Sequence, residues 1–170
     1  MASAALAMRP RACYTSALRR LSAAARDGEH RRVVVIGSGP AGYTAALYAA
    51  RAMLAPLVLA GRQHGGQLML TSDVENFPGY EASVAGPEMM GQLRRQAERF
   101  GAAIVEEDCA ALPRLADGPP FAVEIAGGSR GGGGGARRVT ADALVIATGA
   151  EARWLGARDE ERVRGRGVST

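Results

Sequence analysis

Along the chain the densest apolar run is Val33-Val34-Val35-Ile36, four branched residues without polar alternation, which predicts a strand covered on both faces. Behind it, Ala41 to Met53 carries Ala45, Ala46, Ala49 and Ala52 with Tyr43, Leu47 and Tyr48, the spacing of a helix that can lie close on a sheet. Pro56 closes that helix, and Leu57 to Ala60 predicts a second short strand, completing a β-α-β unit. A second helix is expected over 87–100, opened by Gly86-Pro87 and stopped by Gly101. Its inner side would be Met89, Met90, Leu93, Ala97 and Phe100, and its outer side Arg94, Arg95, Glu98 and Arg99. Ala102 to Val105 predicts a third strand, Phe121 to Ile125 and Arg138 to Thr140 two strand pieces, and Ala143 to Ala147 another buried strand. Strands alternating with helices predict an α/β fold with a parallel sheet.

The polar and glycine-rich breaks between these elements carry the candidate chemistry. Directly after the first strand stands Gly37-Ser38-Gly39-Pro40-Ala41-Gly42, a Gly-x-Gly-x-x-Gly turn that opens the first helix. Gly37 would permit the tight turn, Gly39 the approach of a pyrophosphate to bare backbone, and Gly42 close packing of helix on strand. Pro40 suits the first helical position, and the free N–H groups of that turn would face phosphate. About twenty residues further on, such a cradle calls for an acid on the ribose hydroxyls or an arginine on a 2′-phosphate. The residues there are Ala60, Gly61 and Arg62, and Arg62 reads either as an NADP-type contact or as an ordinary solvated loop residue.

Residues 63–80 form a loop too long to be a simple connection. Gly65 and Gly66 allow close backbone approach, Gln67 and Asn76 offer amides, and Asn-Phe-Pro-Gly is a turn. His64 has no acid or nucleophile tied to it by spacing and reads as a polar loop residue. The glycine tract within 127–136 predicts a flexible hairpin tip. Residues 150–170 are polar, with Trp154 and Leu155 as the expected anchors.

The formal charge of +4 is uneven: residues 1–32 carry seven arginines against Asp27 and Glu29, and the remainder has 14 arginines against 15 acids. The body has no basic stripe with interleaved aromatics, so nucleic acid is not expected as a partner. No apolar run approaches the roughly 20 residues of a membrane span. Cys13 and Cys109 stand in neither metal nor redox spacing, and Cys109 reads as a packing residue. Residues 1–30 are rich in Ala, Ser and Arg, without an acid before Asp27. They read as a leader outside the fold, either a presequence with a mitochondrial address, a plastid or cytoplasmic destination being the alternatives, or a solvated tail.

The glycine turn, Gly65-Gly66-Gln67-Leu68, Asp73-Val74-Glu75-Asn76-Phe77-Pro78-Gly79, Gln96 to Gly101 and Ile146 to Gly156 together resemble the FAD domain of the low-molecular-weight thioredoxin reductases across residues 31–170. The resemblance implies a Rossmann-like FAD-binding domain, with FAD rather than NADP on the first cradle. By the same resemblance, Gly37, Ser38, Gly39, Pro40, Ala41 and Gly42 would hold the pyrophosphate, and Gly66, Gln67 and Asn76 would meet the ribityl and flavin region. The Cys109 backbone would approach the adenine end, and Ala147, Thr148 and Gly149 would pass beside the cofactor. The family's reaction runs from NADPH through FAD to a Cys-x-x-Cys pair and on to thioredoxin, in a homodimer. Gly165 to Thr170 resembles the approach to that pair, so the chain is expected to be the amino-terminal part of such a reductase and inactive by itself. A non-catalytic FAD-binding module and a fragment of another pyridine nucleotide-disulfide oxidoreductase, such as the flavin subunit of alkyl hydroperoxide reductase, are the alternatives.

Overall fold

The computed structural model describes residues 25–127, 135–151, 153–163 and 166–167. Most of the expected leader and the centre of the glycine tract (128–134) lie outside the described residues. In chain order the described elements are β1 (His30–Ile36), α1 (Pro40–Arg51), β2 (Leu57–Leu59), a 3₁₀ turn (Gly66–Leu70), α2 (Gly86–Arg99), β3 (Ala103–Val105), β4 (Cys109–Ala111), a second 3₁₀ turn (Leu115–Asp117), β5 (Phe121–Ile125), β6 (Arg137–Ile146) and the short α3 (Glu160–Val163). The strands form a six-stranded sheet in the order β3-β2-β1-β6-β5-β4. Its β3-β2-β1-β6 side is parallel and its β6-β5-β4 side antiparallel.

The unbroken apolar run is explained by two cores on opposite faces. Because side chains alternate along a strand, Val33, Val35, Val58 and Ile104 point to one face, where Tyr43, Ala46, Leu47 and Ala50 of α1 and Met90 and Ala97 of α2 cover them. Val34, Ile36, Leu57, Leu59, Ala103 and Val105 point to the other, where Val123, Ile125, Val139 and Ala141 close over them. The antiparallel end of the sheet therefore folds back under its parallel end.

Two strand assignments change. The pieces expected at 138–140 and 143–147 are one ten-residue strand, β6. Its first half pairs with β5 (Phe121↔Ala141 to Ile125↔Arg137) and its second half with β1 (His30↔Thr140 to Ile36↔Ile146), so the strand changes partner midway. Nor is its end fully buried: Ala143 and Ile146 are exposed, the latter by 47%. Its apolar residues beyond Asp142 are covered only in part, Leu144 packing against the second core and Val145 against the first.

The start of the folded body also moves. Residues 25–30, expected in the leader, are part of the fold. Ala25 is buried in the second core, and its carbonyl accepts from Arg137 Nη1 at 2.6 Å. Gly28 N donates to Arg138 O, Thr140 N to Glu29 O, and Arg138 N to the Asp27 carboxylate. This strap lengthens the β1–β6 contact beyond the apolar run, which is why hydrophobicity alone does not reveal it.

Helix α1 stops at Arg51, before Met53. Met53 N bonds Ala50 O and Leu54 N bonds Ala49 O, the paired bonds of a Schellman turn. Its left-handed position, usually glycine, is held by Met53 at φ +63° with its side chain exposed. Met53→Gly is expected to raise stability by about 1 kcal/mol, since it relieves left-handed strain and uncovers little apolar surface. A melting temperature that falls or stays put would count against this account of the turn.

The long loop after β2 is an ordered excursion. An isolated bridge Val74↔Val84 closes it, and Val74, Val84 and Met89 form a small core with Leu68, Phe77 and Tyr80 packed around them. Trp154 is partly buried, but Leu155, the other expected anchor, is 89% exposed. What holds that segment is Glu160, whose carboxylate accepts from the N–H groups of Leu155, Gly156 and Ala157. Among the described residues no helix is long and apolar enough to cross a membrane.

Candidate functional site

The site is built where β1 hands over to α1, beside the carboxyl ends of the parallel strands, the usual ligand crevice of an open α/β sheet. Gly37 has φ +110°, and a Cβ placed on it would stand 2.2 Å from the Ala147 carbonyl oxygen. A Cβ on Gly42 would stand 2.1 Å from the Gly37 carbonyl oxygen. The protein's own packing requires these two glycines. Gly39 differs: its φ is −68°, open to any residue, and a Cβ there would meet nothing within 4 Å. Neither strain nor packing explains a glycine at 39, and the space over it fits a group laid against the backbone.

Gly39 is also the N-cap of α1, and no side chain caps that end. Pro40 brings no N–H, and the remaining first-turn N–H groups have no acceptor within the helix, so the positive end of its dipole favours an anion. A dinucleotide diphosphate fits this cradle by its charge and by the bare backbone it needs.

The Ser38 side chain is taken up by the fold itself. Its hydroxyl is buried, donates to Ala60 O at 2.7 Å and accepts from Gly65 N at 3.0 Å. It ties the glycine turn to the end of β2 and to the following loop, leaving its backbone for a ligand. That tie brings Gly66 so close that a Cβ on it would lie 3.2 Å from Gly39 Cα. Gly86, at the start of α2, abuts Leu68 O far more tightly, a Cβ on it falling 1.9 Å from that oxygen, and holds the loop from behind.

The structure assembles most of the other predicted residues around this turn. Gln67 Nε2 donates to Ala150 O, joining the loop to the strand end that carries Ala147, Thr148 and Gly149. Ala147 N donates to Ile36 O at 2.8 Å, so that segment continues along β1 to the turn. Asn76 is exposed farther along the loop, beyond the Val74 bridge. His64 is half-buried and its Nδ1 is enclosed without a hydrogen-bond partner among the described residues, so no carboxylate arms it.

Below the cradle, burial raises the Tyr43 phenol above its ordinary pKa, the Arg94 guanidinium opposing it. Cys109 begins β4, and burial pushes its thiol up, opposed by hydrogen bonding with the Ala111 backbone. A thiol shifted that way is a poorer nucleophile at neutral pH. Arg62 is the solvated loop residue of the second sequence reading, its side chain 60% exposed, and Asp108 pairs with it: Nε lies 3.2 Å from Oδ2, and the backbone N donates to Oδ1 at 2.9 Å. Sequence reasoning missed Asp108, which lies 46 residues away from Arg62.

Residues 31–170 match the family described as pyridine nucleotide-disulphide oxidoreductase. The chain is 49% identical over 138 residues to a thioredoxin reductase of Mycolicibacterium smegmatis, covering 81% of this chain and 41% of that one. It is 46% identical over 140 residues to a glucosaminate ammonia-lyase of Pseudomonas fluorescens, covering 82% and 40%. With the NADPH-dependent thioredoxin reductase 3 of Arabidopsis thaliana it shares 46% over 141 residues, 81% of this chain and 25% of that one. The crystal structure of thioredoxin reductase from Streptococcus pyogenes superposes with a TM-score of 0.65 at 34% identity, covering 82% and 42%. The chain thus spans about 40% of the length of the first of these relatives.

Proposed function

The chain belongs to the pyridine nucleotide-disulphide oxidoreductases, and from that premise we propose that it is the FAD-holding part of an NADPH-dependent thioredoxin reductase. The observation that carries the reading is Gly39, a glycine that neither strain nor packing requires, at an uncapped helix start. Bound FAD would supply two-electron transfer between a nicotinamide and a disulfide. The residues of this chain bind and orient it. First-turn N–H groups of α1 neutralise the diphosphate, Gly66 leaves room beside it, and Gln67 and Asn76 present fixed amide dipoles toward the flavin end.

The two cysteines, Cys13 and Cys109, form no Cys-x-x-Cys pair, so electrons from the flavin have no dithiol to enter within this chain. A dithiol, a nicotinamide site and thioredoxin as final acceptor belong to the reaction proposed for the whole protein. Relatives with two different named reactions share this stretch, which accords with a part that holds the cofactor and leaves the substrate to other residues.

Gly66, Gln67, Asn76, Thr148 and Gly149 are all exposed, so these residues enclose FAD on one side only. A ligand held that way forfeits contacts while the cost of immobilising it remains. The purified chain is therefore expected to bind FAD reversibly and to release it on gel filtration, with Asn76→Ala weakening binding more than His64→Ala. Tightly retained stoichiometric flavin would contradict the one-sided enclosure. Absence of any FAD binding in a fluorescence titration would contradict the function itself.

A further inference from the structure

Dinucleotide cradles of this kind take the adenosine ribose on an acid at the end of the second strand. Here that position is Ala60-Gly61-Arg62, without an acid. A carboxylate nevertheless stands there, supplied by the segment between β3 and β4. Ala60 N donates to Val105 O, Gly61 N to Glu107 O and Arg62 N to Asp108 Oδ1, so three successive residues after β2 are zipped to the stretch that leads to Asp108. Ser38 fastens the same strand end to the glycine turn through Ala60 O. Gly61, at φ +74°, leaves the room: a Cβ on it would lie 3.3 Å from Asp108 Oδ1.

Of the three consecutive acids in this stretch, only Asp108 is turned to the end of β2. Glu106 pairs with Arg94 of α2, and Glu107 with Arg137 of β6. Asp108 is about half exposed, and each of its oxygens, although it accepts from Arg62, keeps a lone pair for a further donor.

We propose that Asp108 is the ribose-binding acid of this chain, accepting the hydroxyls of the adenosine ribose of FAD in place of the missing acid after β2, with Arg62 holding its carboxylate in position. The inference rests on the FAD reading above and adds to it a residue from a different part of the chain.

The test compares dissociation constants for FAD and for FMN, which lacks the adenosine half, by flavin fluorescence on the full chain. Asp108→Asn is expected to weaken FAD about ten-fold or more, the scale of a hydrogen bond to a charged group, and to leave FMN within about two-fold. Arg62→Ala keeps the carboxylate, so it is expected to cost FAD about three-fold at most. Unchanged FAD affinity in Asp108→Asn overturns the proposal. So does an equal loss in Arg62→Ala, because Asp108 would then act only by clamping the arginine, and so does an equal loss of FMN. A wild-type chain that binds no FAD brings down the function reading and this inference with it.

Discussion

Gly42→Ala is expected to destabilise the fold by about 3 kcal/mol or more, whereas Gly39→Ala, three residues earlier, is expected to leave stability within about 0.5 kcal/mol and to abolish measurable flavin binding. The contrast follows from what a methyl group would meet. At 42 it would be driven to 2.1 Å from the Gly37 carbonyl oxygen, a backbone atom that cannot swing aside. The strand and helix would have to separate, and the helix-side core that Val33, Val35, Tyr43 and Ala46 share would open with them. At 39 the methyl group would enter empty space in an ordinary backbone conformation, the space assigned to the diphosphate. Urea denaturation and a flavin titration on the two variants separate the effects. Equal loss of stability in both would mean that Gly39 serves the fold, and the ligand reading of the turn would fail.

The second large effect is expected at Ser38, and in the flavin-free protein. Ser38→Ala removes a donor from Ala60 O and an acceptor from Gly65 N, both in a closed environment. A buried polar group left without a partner costs about 1–3 kcal/mol, so a loss of about 2–3 kcal/mol is anticipated from the two together. Were the hydroxyl a phosphate contact instead, stability without ligand would hardly move and only affinity would fall. Denaturation curves recorded before flavin is added decide between these outcomes, and an unaltered midpoint would refute the structural tie.

The sequence carries the cradle openly because its glycines follow from local geometry. Gly37 and Gly42 are forced by clashes within a few residues or with the adjacent strand end, and such constraints leave a fixed spacing. The strand at 33–36 and both helices are equally legible, since burial on two faces and on one stripe writes distinct patterns. What stays hidden is fixed by distant parts of the chain. Asp108 meets Arg62 across 46 residues, and the Ala25 carbonyl meets Arg137 across 112. Neither pairing leaves a period or a motif. The continuity of β6 was equally invisible: Asp142 interrupts its apolar pattern and meets His30 at the strand's outer surface. Leu155 illustrates the opposite error, a large apolar residue taken as an anchor where a charged one, Glu160, does the holding.

The mid-strand exchange of partners in β6 has a consequence during translation. Its hairpin half pairs with a strand made moments before, but its other half completes β1, with His30 and Thr140 separated by 110 residues. At about 5–20 residues per second the ribosome needs roughly 5–20 seconds to deliver that neighbour. Until then Val33 to Ile36 presents one bare, strongly apolar edge, a template for pairing with other nascent chains. The strand that leads into the glycine turn is thus left without that neighbour for most of the time the described chain is being made.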